Sequence, residues 1–499
     1  MSRSHRRFGN LLRVICFRTG LIGSCFLAAF DATEAIAAEP NSPLNVLFIT
    51  VDDLRPQLRS YGREEMVTPN LDRLAAQGRL FRRHYVQVPT CGASRCALLT
   101  GRYPLQPGDY SNEAFALLPR DEANAVVTLP GLFKQNDYRA VSIGKITHSP
   151  DGLNPQGEVE APFTWDEVGV PVGKWKTGWD AFFAYADGST RIPGKTPATE
   201  RGEVADDGYP DALIADAAIE KLGELKGQPF FLAVGFFKPH LPFNAPAKYW
   251  DLYDADHLPA PPNSAPPLNV DPAISLHKSG ELTPRYTGLK TPGVVSEEEA
   301  QNLRHAYSAC VSYVDAQIGR VLEELDRLGL RENTIVVVWG DHGWHLGEHG
   351  VWGKHTLHEV ALRSPLIVRM PGMSAPGEAT DALVETVDIF PTLAELCHLE
   401  MPSELAGTSF AAALSNPASL GKQAAIGFWA DGRAHSIRTP QNRLIQWTKR
   451  GDPTQIAQVE LYDHQVDPGE TRNIAADRPD DVGQLAAELK SRVPLLRNR

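Results

Sequence analysis

Short runs of consecutive apolar residues, each stopped by polar or glycine punctuation, recur along the chain and predict its architecture. Asn45–Val51 (N-V-L-F-I-T-V) is the first, and it ends abruptly at Asp52-Asp53. A run without alternation suits a strand covered on both faces, as in a parallel sheet. Ala140–Ile143, Phe230–Val234, Thr334–Trp339 and Leu366–Met370 repeat the pattern. Segments of helical period lie between them. Thr68 and Pro69 open one, Leu71, Leu74 and Ala75 share a face, and Gly78 supplies the stop. Leu213–Leu225 and Thr386–Leu396 are two more. The longest predicted helix runs from about Glu297 to Leu328. There Leu303, Tyr307, Cys310, Val314, Ile318, Val321 and Leu325 recur at three- and four-residue steps, and Gly329 closes the segment. Ser296 and Glu299 form a capping box at its start. Strand, helix and strand in alternation predict an α/β fold built on a doubly wound, mixed but mainly parallel sheet.

Two regions break the rhythm. Residues 150–211 are rich in Gly, Pro and Trp without a clear period, which predicts an irregular insertion, and Pro259–Pro267 is a proline-rich loop. Beyond about Asn416 the texture changes. Ala424–Trp429, His435–Arg438 and Arg443–Thr448 read as short strands of a meander, and Asp480–Ser491 as a last helix. The expected layout is a large domain over residues 42–415 and a smaller α+β subdomain over 416–499.

Composition changes this picture mainly at the amino terminus. The chain has 499 residues, 42% apolar and 22% charged, as ordinary globular proteins do. Arg3, Arg6, Arg7, Arg13 and Arg18 precede an apolar run from Leu21 to Phe30, then Ala35-Ile36-Ala37. Basic, apolar and small residues in that order predict a secretory signal over residues 1–38, and so a periplasmic or secreted location. The run is too short to span a bilayer, and no later stretch is longer. Net charge is −12, and it becomes −15 once the five arginines and two acidic residues of the signal are gone. Such a surface argues against a nucleic-acid partner. An anionic substrate would need positive charge gathered locally. Cys16 and Cys25 leave with the signal, and four cysteines are too few for a dense disulfide framework. Cys96, Cys310 and Cys397 are expected to be packed.

Candidate chemistry starts with Asp52-Asp53 and Asp341-His342, both just past predicted strands. Ligands of open α/β sheets gather at the carboxyl ends of strands. Carboxylates brought together there repel unless a cation intervenes, and hard oxygen donors favour Ca²⁺ or Mg²⁺ over Zn²⁺. Either pair alone would be read as caps or loop charges. Asp206-Asp207 has no such context and reads as surface. His345 and His349 sit in a Gly-rich loop with only one helix-like spacing, so a zinc site there is not expected.

Thr90–Tyr103 reads T-C-G-A-S-R-C-A-L-L-T-G-R-Y. It resembles the signature of the type I sulfatases, C-x-P/A-S-R followed by L-T-G-R. Cys91, Ser94, Arg95, Thr100, Gly101 and Arg102 fill the motif, with Ala93 where most members carry Pro. The plainer alternative makes Cys91 and Cys96 buried thiols or disulfide partners. The resemblance implies an alkaline-phosphatase-like fold and a maturation enzyme that oxidises Cys91 to formylglycine, whose hydrate is the nucleophile. It also implies one Ca²⁺ held by Asp52, Asp53, modified Cys91 and Asp341, with His342 where many members have Asn or Gln. Gly144-Lys145 with His148, Lys238-Pro239-His240, and Gly340-Asp341-His342-Gly343-Trp344 with Lys354 resemble the iduronate-2-sulfatase branch.

By that resemblance Arg95, Lys145, His240 and Lys354 neutralise the sulfate, His240 protonates the leaving alcohol and His148 serves sulfate release. Trp344 either stacks on a sugar or belongs to the core. The segment L-Y-D-x-x-x-D-P-G-E-x-x-N at Leu461–Asn473 resembles the family's C-terminal subdomain. The implied activity is release of sulfate from a sulfated polysaccharide or oligosaccharide, with the 2-O-sulfate of a uronic acid as the leading substrate. Another sulfated sugar, a phosphatase or phosphodiesterase on the same fold, and a silent glycan-binding protein remain the alternatives.

Overall fold

The computed structural model describes residues 43–289 and 294–493; the signal expected over residues 1–38 lies outside them. Strand β1 (Asn45–Val51) sits inside an eight-stranded sheet. Its companions are β2 (Arg79–Tyr85), β3 (Arg139–Gly144), β4 (Glu167–Gly169), β5 (Phe230–Phe236), β6 (Thr334–Gly340), β7 (Leu366–Arg369) and β8 (Thr380–Glu385). Their spatial order is β8-β2-β7-β6-β1-β5-β3-β4. Among these eight, β7 alone runs against the others. The sheet is mixed and mainly parallel, as expected.

All seven residues of β1 are buried, and they alternate between two layers. Leu47, Ile49 and Val51 join the core on one side, Val46 and Phe48 that on the other. Helices α1 (Pro69–Gln77), α2 (Cys91–Thr100), α3 (Leu129–Gln135), α4 (Pro210–Leu225), α5 (Glu297–Arg327) and α6 (Ile389–Leu396) divide between those layers. Apolar side chains of α1, α4 and α5 cover the first, and those of α2, α3 and α6 the second. Each large side chain buried along the α5 stripe contributes roughly 1.5–3 kcal/mol. That packing is what holds so long a helix in place.

The capping box at the start of α5 is formed. The Ser296 N–H donates to Glu299 Oε2 at 2.7 Å, and the Glu299 N–H donates to Ser296 Oγ at 3.4 Å. Ser296→Ala is expected to cost about 1 kcal/mol. The measurement is the urea midpoint, and an unchanged midpoint would refute the contribution of the cap.

Two strands have no apolar signature. β2 reads R-L-F-R-R-H-Y, yet Arg79 is fully buried. Its guanidinium donates to the backbone carbonyls of Ser374, Ala375, Glu378, Ala413 and Leu414, so the charge is solvated by peptide groups. β4 adds an edge strand from inside the insertion at residues 150–211.

Near the carboxyl end, β9 (Ala425–Trp429), β10 (Ala434–Arg438), β11 (Asn442–Lys449) and β12 (Asp452–Asp463) form an antiparallel meander. Helix α7 (Pro479–Arg492) buries Leu485 and Leu489 in a core that also holds Val88, Ala93 and Tyr110. The meander is therefore seated against the segment that carries the signature. Buried ion pairs tie it further: Arg443 reaches Glu359 at 2.6 Å and Glu470 at 2.7 Å. Cys91, Cys96, Cys310 and Cys397 are all free thiols. Among the described residues no helix is long and apolar enough to cross a membrane.

Candidate active site

Four neighbouring strands, β6, β1, β5 and β3, run parallel, so their carboxyl ends meet along one edge. Beyond those ends lie Asp341-His342, Asp52-Asp53, His240 and Lys145 respectively. Gly144 permits the exit toward Lys145: its φ is 77°, and a Cβ there would lie 2.2 Å from the Gly235 carbonyl oxygen. Helix α2 delivers Cys91 as its first residue, with Thr90 as N-cap. The Gly92 N–H donates to Asn112 Oδ1 at 3.0 Å. A Cβ at Gly92 would lie 2.4 Å from the Asn112 carbonyl oxygen, which explains the glycine after Cys91.

These side chains converge. Cys91 Sγ is 3.3 Å from His342 Nε2 and 3.3 Å from Lys354 Nζ. Lys354 Nζ also meets Asp53 Oδ1 at 2.8 Å. Lys145 Nζ donates to Asp52 Oδ2 at 2.5 Å. Arg95 lies beneath, with no exposed surface, its Nε 3.0 Å from Asp341 Oδ2 and its Nη2 3.4 Å from Asp52 Oδ1. It faces these carboxylates and two backbone carbonyls, Lys145 and Ile146, rather than open space. The Asp53 N–H donates to Asp341 Oδ1 at 2.9 Å.

Three carboxylates, Asp52, Asp53 and Asp341, are wholly buried together. Burial foremost, and then the charge of Asp52, pushes Asp341 up to about 7. Burial likewise drives Asp53 well above the carboxylate range, against the pull of Lys354. For Asp52 burial is again the largest influence, but Lys145, Arg95 and His240 together hold it well below its ordinary value. Burial and the negative charge of Asp52 raise the Cys91 thiol well above its usual range.

The cluster gathers the donor atoms a cation would need. One atom each of Asp52, Cys91, Asp341 and His342 falls within 4.8 Å of the others. Asp53 Oδ2 is buried without a hydrogen-bond partner. His342 Nδ1 faces the Gly343 carbonyl at 3.0 Å, so it carries the hydrogen and Nε2 presents its lone pair to the cluster. A set dominated by carboxylate oxygens fits a hard divalent ion.

Above Cys91 opens a cleft of about 800 Å³. Lys145, Arg191, Lys278, Arg285, Lys354 and Arg433 line it, with His148, His240, His277 and His355. Glu281 is the single carboxylate among its described lining residues. Positive charge is thus gathered on a chain of net charge −12. His148 packs edge-on against Trp179 with centroids 5.4 Å apart, and its buried Nδ1 has no partner. Burial foremost, then Lys145, lowers His148 to about 3.

Four more side chains, Trp344, His345, His349 and Glu281, have the following places. Trp344 is fully buried beneath Lys354, so it belongs to the core and cannot stack on a sugar. His345 and His349 are buried and bonded to Thr356, Asn263 and the Glu348 and Gly469 carbonyls. Glu281 carries no sequence signal, lying in a loop region without a motif. It nevertheless reaches His240 Nε2 at 3.2 Å and Lys354 Nζ at 3.0 Å.

Comparison with known proteins agrees with this geometry. The Sulfatase family profile matches residues 44–399, and the profile named N-sulphoglucosamine sulphohydrolase, C-terminal, matches residues 347–499. A sulfatase of Formosa agariphila is 33% identical over 477 residues, spanning 91% of this chain and 87% of that protein. Iduronate 2-sulfatase of Mus musculus is 33% identical over 422 residues, spanning 78% of this chain and 75% of that protein. The solved phosphonate monoester hydrolase from Silicibacter pomeroyi superposes with a TM-score of 0.73 at 25% identity, covering 90% of this chain and 96% of that one. The fold, the signature at Cys91 and these matches lead to one conclusion: the chain belongs to the sulfatase family of sulfate-ester hydrolases.

Proposed function

We propose that this chain is an exported sulfatase that removes the 2-O-sulfate of a uronic acid in a sulfated polysaccharide or oligosaccharide. The observation that carries this reading is the meeting of Cys91, three buried carboxylates and two lysines at the floor of a cationic cleft. Cys91 is the residue for oxidation to formylglycine by a maturation enzyme, and Asp52, Asp53, Asp341 and His342 the residues to hold one Ca²⁺ with it. When bound, the ion polarises sulfate oxygens and the modified residue supplies the attacking oxygen.

The remaining work falls to side chains. Lys145 and Lys354 line the cleft and are placed to neutralise the sulfate. His240 is the donor of a proton to the departing sugar oxygen. His148, with Nδ1 unpartnered, is placed to take a proton as sulfate is released. Arg95 lines up the carboxylates from below. The sugar preference rests on the similarity to iduronate 2-sulfatase and on the blocks around Lys145, His240 and Asp341. Export rests on the order of basic, apolar and small residues in the first 38 positions.

The test is turnover of a defined panel: 2-O-sulfated iduronate and glucuronate disaccharides, a 6-O-sulfated glucosamine, 4-nitrophenyl sulfate and 4-nitrophenyl phosphate. The 2-O-sulfated uronates are expected to lead the other sugars by about 100-fold in kcat/KM. EDTA is expected to lower every sulfate rate by about 100-fold or more, restored by Ca²⁺. Preference for the phosphate ester, or indifference to EDTA, would overturn the assignment.

A further inference from the structure

Glu281 has no place in the chemistry described so far, although it touches two residues that do. Its Oε1 lies 3.2 Å from His240 Nε2 and 3.0 Å from Lys354 Nζ. His240 Nδ1 is held separately by the Leu241 carbonyl at 2.6 Å. The Leu241 carbonyl therefore fixes the proton on Nδ1, and Glu281 sets the direction of Nε2, the nitrogen that faces the cleft. On the same oxygen it draws the Lys354 ammonium beside that nitrogen. Asp53 is the other carboxylate near both, 2.8 Å from Lys354 Nζ and 3.8 Å from His240 Nε2.

The segment bearing Glu281 is braced from outside the main sheet. The Leu268 N–H donates to the Thr471 carbonyl at 2.8 Å and the Asp271 N–H to Gln458 Oε1 at 2.9 Å. Ser275 Oγ donates to Glu460, and the Trp352 N–H donates to Ser279 Oγ at 2.8 Å. Gln458 and Glu460 belong to β12. The small antiparallel sheet thus fixes a strap that forms one wall of the cleft, including Ile274, His277 and Glu281.

We infer that Glu281 is a positioning residue for sulfate-ester hydrolysis, orienting His240 toward the oxygen that bridges sulfur and sugar, while Asp53 holds Lys354. This rests on the sulfatase reading of the site. A sugar alkoxide is a poor leaving group and needs the proton His240 gives as the S–O bond breaks. A nitrophenolate leaves without one. The charge of Glu281 therefore matters for the first ester and little for the second.

The experiment uses Glu281→Gln, nearly isosteric and neutral, with Glu281→Ala as a second variant. Steady-state kcat is measured on a 2-O-sulfated uronate disaccharide and on 4-nitrophenyl sulfate, with Ca²⁺ present. For the sugar sulfate kcat is expected to fall about 100-fold, and for the aryl sulfate less than about 3-fold. Circular dichroism at the assay temperature should show both variants folded. Equal losses on both esters, or none on either, would overturn the inference while leaving the sulfatase reading intact. A wild-type enzyme inert toward both esters would sink the sulfatase reading, and this inference with it.

Discussion

Cys91→Ala is expected to lower turnover of any sulfate ester by roughly 10⁴-fold or more, since it deletes the atom on which covalent chemistry depends. The fold should survive the change. Cys91 is 3% exposed, its side chain is small, and its sulfur contacts are two polar groups, His342 and Lys354. Deleting one sulfur there leaves a void of at most a few tens of Å³, costing about 1 kcal/mol or less. Loss of rate without loss of melting temperature separates a nucleophile from a packing residue.

Cys91→Ser provides the sharper arm. If an aldehyde made from Cys91 is the working group, serine retains an oxygen and still fails. Peptide mass at position 91 then completes the argument: active wild type should carry a residue lighter than cysteine, and trapping it with a hydrazine should abolish turnover. Active protein whose residue 91 is wholly an unmodified thiol would falsify the formylglycine reading. Because Ala93 stands where most signatures have proline, the extent of conversion also reports how well this motif is accepted.

What could be read in advance follows from where the information lies. β1 and β6 are buried on both faces, so their unbroken apolar runs were decisive, and each run ended at the carboxylates that form the site. Helix α5 ends at Arg327, one residue short of the expected Leu328, because capping box and stripe are local signals. Local signals failed at β2, where Arg79 is satisfied by carbonyls contributed about 300 positions later in the chain. Glu281 was unreadable for the same reason. Nothing adjacent to it in sequence marks it, and its importance arises only where the strap crosses His240 and Lys354. Trp344 shows a related limit. Its place beside Asp341 in sequence suited either the site or the core, and the fold puts it in the core.

Arg95 supports the second large effect. Its guanidinium is wholly buried and meets Asp341, Asp52, Thr50 Oγ1 at 3.3 Å and the carbonyls of Lys145 and Ile146. Arg95→Met keeps much of the volume and removes every donor. Breaking a buried ion pair from one side typically costs about 3–5 kcal/mol, because the remaining charge is stranded. Here two carboxylates are affected, and the Asp53 N–H is the further donor to Asp341. In EDTA the variant is therefore expected to lose about 3–5 kcal/mol of stability, read from urea or thermal unfolding. Saturating Ca²⁺ should return a substantial part of that loss, since an ion bound by Asp52 and Asp341 replaces the missing positive charge and stabilises only the folded chain. The difference between the two conditions is the informative quantity. A loss that is the same with and without Ca²⁺ would mean that Arg95 acts through packing and the Lys145 carbonyl alone, and that the carboxylates do not share a cation with it.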